Sequence, residues 1–294
     1  MQHRVTRSLV AAGFSILFAL TAACGGSTPE AKAPGADATD APRVGSSAPD
    51  PASDSSSPAS ADAPKPTVAV ASAENGSDII PPGFAWRKVR PPVVLDAWPV
   101  VEGATFDRFT TVANWRGSYG PLEFEGRTFG LKVHEFRKCM ALPRETGLPF
   151  EIALGIHPGD HADLAALRDA GWRITDPAQA SASADAFTNF VRGSGAEFSV
   201  AQGVYVHTHS GWFSDRTAVY LASGRPALVQ DTGFTRTLPS AKGLVAFSTP
   251  AEAAHAAREI TGDYATHCRA AREVAEEFFD SRTVLAKFIA DIAA

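Results

Sequence analysis

Cysteine is scarce: three residues in 294. With Cys24 at the end of an apolar leader, only Cys139 and Cys268 remain for a disulfide, and both fall in predicted helices, where free buried thiols are common. Two thiols or one bridge are the open alternatives. A basic excess is also missing, since 27 Lys and Arg stand against 32 Asp and Glu. The acidic surplus sits mainly between Gly25 and Ile79, so the rest of the chain is nearly neutral, which argues against a nucleic-acid partner. There is no internal repeat and no GxGxxG dinucleotide fingerprint. The apolar run Leu9–Leu20 is too short for a comfortable membrane span.

The leader reads as a signal. Arg4 and Arg7 precede the apolar run, and Thr21-Ala22-Ala23-Cys24-Gly25 follows it. Small residues before a cysteine resemble the lipobox of bacterial lipoproteins, with Thr21 in place of the usual Leu, so residues 1–24 are expected to be a lipoprotein-type signal peptide and Cys24 the lipidated residue. No Asp follows Cys24, which favours the outer membrane, on its periplasmic side. Residues 25–79 hold Ala, Pro, Ser, Asp and Gly with no aromatic side chain. Such a stretch buries too little apolar surface to offset chain entropy and is expected to be a disordered linker. From Ile80 to Ala294 there is enough chain for one well-buried domain.

Strand and helix patterns alternate through that domain. Phe109–Trp115 reads as a strand, followed by Arg116-Gly117-Ser118-Tyr119-Gly120 and a helix over about 129–142. A second strand is expected over 149–156 and a short helix over 162–170. A third strand follows over 172–174, a helix over 183–192 and a strand over 196–200, leading extended through Gln202–Val206. Alternation of this kind predicts an α/β fold with a Rossmann-like parallel sheet. His157, Asp160, His161 and Asp163 cluster, yet Asp163 at a helix start is better explained by the helix dipole than by a metal, and none is expected. His207 and His209 read as a solvated pair. Leu244–Phe247 is the last strand, and Thr249-Pro250-Ala251-Glu252 opens a long helical tail with two apolar faces, one through Tyr264, Ala271, Ala275, Phe278 and Phe279, the other through Val284, Leu285, Phe288, Ile289 and Ile292.

The stretch His207–Phe234, HTHSGWFSDRTAVYLASGRPALVQDTGF, organises the domain. Ser214 stands where it caps a helix opening with Asp215-Arg216-Thr217, whose free N–H groups suit an anion. Gly224 suits a left-handed cap and Pro226 bars continuation. A buried strand follows, then Gln230-Asp231-Thr232-Gly233-Phe234. In open α/β sheets, ligands lie outside the carboxyl ends of the strands, where both loops would sit.

This block resembles the donor-binding, C-terminal half of bacterial GT-B glycosyltransferases, with WRKVRPPVVLDAWP, TVANWRGSYGP and GLKVHEFRK as further shared motifs. The resemblance runs from about Ile80 to the C-terminus, without the Rossmann-like half that precedes this region in the family. It implies a nucleotide-sugar site with Arg116, Gly117 and Lys132 on the phosphates. Gly211, Ser214, Arg216 and Thr217 would sit around phosphate or ribose, Asp215 would accept from hydroxyls, and Asp231, Thr232 and Gly233 would form the facing loop. It implies no bound metal and no cofactor. The paired-glutamate motif of one GT-B group is missing, Gly211 and Val219 occupying its positions, and no catalytic residue is assigned. The family's acceptor site and base come from the other half. Slow turnover, or none without a separate acceptor-domain protein or a homo-oligomer, is therefore expected. A glycan- or nucleotide-binding envelope lipoprotein and a structural interaction module are the alternatives.

Overall fold

The computed structural model describes residues 69–71, 86–116, 120–124 and 126–293, all within one compact unit, Val68–Ala294. Cys24, the rest of the leader and Gly117 lie outside the described residues. Strands β1 (Ala69–Ala71) and β2 (Trp86–Lys88) form a parallel pair. The main sheet contains β3 (Phe109–Asn114), β6 (Phe150–Gly155), β7 (Arg173–Thr175), β8 (Ala196–Ser199), β9 (Ala227–Gln230) and β10 (Leu244–Phe247). A small hairpin pairs β4 (Leu122–Phe124) with β5 (Arg127–Phe129).

All pairings in the main sheet are parallel, in the order β10-β9-β8-β3-β6-β7. The chain winds outward from β3 through β6 to β7, then returns to β3's other side and winds outward again. This is the α/β, Rossmann-like sheet that the alternation predicts, with its switch of direction between β3 and β8. The β3–β8 ladder is short. Only Phe109↔Ala196 and Thr110↔Glu197 are in register, against six positions between β3 and β6.

Side-chain alternation divides the core between the two faces. On one, Phe109 stacks on Phe150 at 4.8 Å and Phe198 on Phe247 at 5.6 Å, with Trp115, Phe136 and Trp172 filling between them. Burying each of these rings contributes about 1.5–3 kcal/mol. Over this face lie α1 (Lys132–Lys138), α2 (Leu142–Thr146) and α8 (Pro250–Gly262). The other face takes α7 (Asp215–Ala222), buried from Thr217 onward, together with α9 (Tyr264–Phe278) and Phe279. The lead-in packs there as well: Val93, Leu95 and Trp98 are buried, and Val93 exchanges backbone hydrogen bonds with Phe279 and Ser281. Short helices α3 (His161–Asp169), α4 (Pro177–Ser181), α5 (Ala184–Arg192) and α6 (Gly203–His207) complete the windings, and α10 (Ser281–Ala293) closes the described chain.

Several expectations need correction. The helix expected over 129–142 is two helices, because Phe129 is still extended in the hairpin and Pro143, which has no N–H to give, opens α2 instead of extending α1. Gln202–Val206 is not extended: the Gln202 carbonyl accepts from Tyr205 N and Val206 N and the chain coils into α6, with Gly203 so close to Gly130 that an added Cβ would lie 2.6 Å from the Gly130 carbonyl oxygen. Helix α4, capped by Asp176 at 2.8 Å, had no strong periodic signal. The first apolar face of the tail is buried as expected through Ala271, Ala275 and Phe279, whereas Leu285, Ile289 and Ile292 of α10 are exposed. Thr249 Oγ1 does cap α8, accepting from Glu252 N, while the Glu252 carboxylate accepts from Ser248 N and Pro250 stands in the first turn. Cys139 and Cys268 are separate thiols, and burial, followed by the Glu135 charge, pushes Cys139 up to about 12.

Candidate functional site at the β3–β8 switch point

Helices α1 and α6, in the connections that follow β3 and β8, lie side by side. Helix α1 starts at Lys132, whose backbone N–H donates to Gln202 Oε1 at 2.6 Å, and Gln202 in turn precedes α6. At the other end of α6, His207 Nε2 meets Glu135 Oε1 at 3.1 Å. Helix α6 is thus tied at both its ends to α1, at the first residue and the middle of that helix. Glu135 is buried and also accepts from Lys138 Nζ at 2.8 Å through each oxygen, and from Gln230 Nε2 at 2.9 Å. Gln230, the last residue of β9, accepts from Ala201 N with its other atom at 3.1 Å. Burial works to raise the Glu135 carboxyl, but the hydrogen bonds from Lys138 and Gln230 outweigh it and hold the group below the ordinary carboxylate range.

Beside this network is a second, deeper one. Arg216 donates from Nε to Glu197 Oε1 at 2.6 Å, from Nη1 to the Val112 carbonyl at 2.8 Å and from Nη2 to Ser199 Oγ at 3.0 Å. Its contacts therefore bridge β3 and β8. Glu197 is fully buried and its Oε2 has no partner among the described residues. Tyr220 and Ser194 both meet Thr110 Oγ1 at 2.7 Å, continuing the polar layer under α7. The half-buried Lys132 side chain stands by this pair, its amine without a hydrogen bond or ion pair to any described residue. Burial first, then the Arg216 charge, brings this ammonium down to about 8, with Glu197 opposing.

The remaining expected site residues divide between those brought together and those engaged elsewhere. Gly211 N donates to the Thr232 carbonyl at 2.7 Å and Thr232 Oγ1 to the Trp212 carbonyl at 2.5 Å, so the two predicted loops do meet. Gly233 is left-handed, φ +89°, and an added Cβ there would lie 2.9 Å from the His209 carbonyl. Asp231 closes its own turn by accepting from Gly233 N and Thr235 Oγ1. Ser214 occupies the cap position of α7 but makes no capping hydrogen bond; the exposed Asp215 instead accepts from Arg216 N at 2.8 Å. Thr217 is buried, its hydroxyl without a partner among the described residues. Arg116 turns to Asp160, donating at 2.9 Å and 2.5 Å, while Asp163 is held by Arg137 and by Trp115 Nε1.

Sequence reasoning missed Glu135, Gln230 and the partnership of His207. Read as extended, His207 had no neighbour to pair with. The usable signal was a Glu one helical turn after Lys132, on the side of α1 that also carries buried Val133 and Phe136. A buried carboxylate requires donors.

No family model and no curated protein matches the sequence. Among solved structures the chain is similar to TarM, with a TM-score of 0.49 and 9% identity over 71% of this chain and 39% of that one. It is similar to AviGT4, a glycosyltransferase involved in avilamycin A biosynthesis, with a TM-score of 0.46 and 14% identity over 71% of this chain and 58% of that one. A third is HepE of Anabaena in complex with UDP, with a TM-score of 0.47 and 8% identity over 71% of this chain and 57% of that one. These neighbours are GT-B glycosyltransferases. The chain spans between about two fifths and three fifths of their lengths. Likeness at these scores carries no argument about activity.

Proposed function

We propose that this chain is a glycosyltransferase-related domain whose β3–β8 switch point takes a nucleoside diphosphate sugar, with the diphosphate at Lys132. The observation that carries the reading is the Lys132 amine, unpaired among the described residues at the crevice where open α/β sheets bind ligands. Lys132 and Arg216 together carry one more positive charge than Glu197 neutralises, so an anion placed there relieves the repulsion between the two cations. Arg216 is spent inside the fold and serves as the fixed charge behind Lys132, not as a movable clamp. Asp215, exposed at the start of α7, and the Gly211–Thr232 loop pair flank the crevice as hydroxyl acceptor and wall.

The same proposal includes export and anchoring. Cys24 after its apolar leader supplies the lipid attachment, and the linker expected over 25–79, of which Ala69–Ala71 pairs with Trp86–Lys88, supplies the tether to the domain. Calorimetric titration of the full chain with nucleoside diphosphates and their sugar esters tests the binding site. Millimolar or tighter binding that Lys132→Met abolishes is the expected result; no heat from any member of the panel would remove the assignment.

A further inference from the structure

We propose that His207 is the proton acceptor for transfer at this site, with Glu135 as its positioning residue. The inference rests on the nucleoside diphosphate sugar reading above and extends it from binding to chemistry. It also departs from the expectation of a domain without a base of its own.

The argument begins with tautomers. Glu135 is held ionised and is acceptor-only, so the His207 nitrogen facing it, Nε2, carries the hydrogen. Nδ1 then holds the lone pair. No described residue is hydrogen-bonded to it, and the side chain is 46% exposed. A buried carboxylate that fixes the tautomer of a half-exposed imidazole is the arrangement by which histidine is set up to take a proton.

Glu135 itself cannot drift. Lys138 and Gln230 each hold it, and Gln230 is anchored through Ala201 N to the exit of β8. A merely structural tie between α1 and α6 already exists where each begins, through Gln202 and Lys132. Lys132 and Glu135 are one helical turn apart on α1, so the residue that holds His207 and the residue assigned to the diphosphate are neighbours on the same helix.

The reaction balances with water or a sugar hydroxyl as the second reactant. The hydroxyl O–H bond breaks and its proton goes to His207 Nδ1, while the oxygen forms a bond to the anomeric carbon. The bond from that carbon to the diphosphate oxygen breaks, and its electron pair leaves on the nucleoside diphosphate, beside Lys132. No oxidant, reductant or further reactant is needed. With water the products are free sugar and nucleoside diphosphate.

The test uses the full chain with UDP-glucose and UDP-N-acetylglucosamine, measuring UDP release and, separately, UDP binding by calorimetry. His207→Ala is expected to lower kcat about 10²–10⁴-fold, leave KM and UDP affinity unchanged, and regain turnover when imidazole is added. Glu135→Gln is expected to lower kcat with KM unchanged. Turnover by His207→Ala equal to wild type overturns the proposal, as does wild type that binds UDP yet releases none from either sugar ester. Failure of wild type to bind UDP or either ester is a different result: it removes the site and the base together.

Discussion

Gln230 donates to Glu135 Oε2 at 2.9 Å across 95 residues of sequence, while its Oε1 receives Ala201 N. One amide side chain thereby joins the end of β9, the exit of β8 and the middle of α1. Replacing it by an isosteric hydrocarbon leaves Ala201 N and one lone pair of a buried carboxylate unmet. Gln230→Leu is expected to lower stability by about 1–3 kcal/mol, read as a drop in urea midpoint with unchanged slope. An unchanged midpoint would mean that water or Lys138 replaces the amide without loss.

Lys132 gives a pH signature with a definite sign. Its folded-state value of about 8 lies below the ordinary 10.5, so between those values the unfolded chain binds more protons and stability rises with pH. Below about pH 8 both states are protonated and the full cost of the buried charge is present. Lys132→Met should therefore stabilise the chain at pH 7, with the gain shrinking as pH climbs through the window from 8 to 10.5. A gain that is flat with pH, measured by thermal unfolding across that range, contradicts this environment for the amine.

Breaking the Arg216–Glu197 pair has the opposite effect on stability. Arg216→Met strands a fully buried carboxylate and removes the bridge between β3 and β8, at an expected cost of about 3–5 kcal/mol. Were Arg216 a ligand clamp only, its replacement would weaken nucleotide binding and leave the denaturation midpoint where it was.

Asp215 separates capping from recognition. It is exposed and, among the described residues, accepts only from Arg216 N, a bond that asparagine can keep. Asp215→Asn should change stability by no more than about 0.5–1 kcal/mol, yet weaken nucleotide-sugar binding by about 1.5–3 kcal/mol if its charge accepts ligand hydroxyls. Equal affinity of the two proteins for UDP-glucose would leave Asp215 a cap and nothing more.

For the anchor, metabolic labelling with a palmitate analogue should mark the wild-type chain and spare Cys24→Ser. Labelling that is the same in both would dismiss the lipidation proposal.

The α/β alternation was legible because buried parallel strands such as Phe150–Gly155 and Ala227–Gln230 read as apolar runs, and because Thr249-Pro250 and Gly224 punctuate helices in ways local chemistry dictates. The site was legible only in part. The meeting of Gly211 with Thr232 followed from sheet logic. What could not be read was which polar residues spend themselves on each other: Arg216 on Glu197, Arg116 on Asp160, His207 on Glu135. Those pairings depend on long-range register, and the place of α6, which brings His207 round, requires the close crossing of Gly203 over Gly130. Local propensity contains neither.

The brevity of the β3–β8 ladder has a mechanical meaning. Two positions in register join two three-stranded leaves, and the join is reinforced from outside the ladder by Arg216 on the Val112 carbonyl, by Thr110 with Ser194 and Tyr220, and by the Arg108 carbonyl, which accepts from Gly195 N and Ala196 N. The seam between the leaves thus depends more on side chains than on ladder hydrogen bonds, and a single guanidinium, that of Arg216, reaches from β8 and α7 to the Val112 carbonyl of β3.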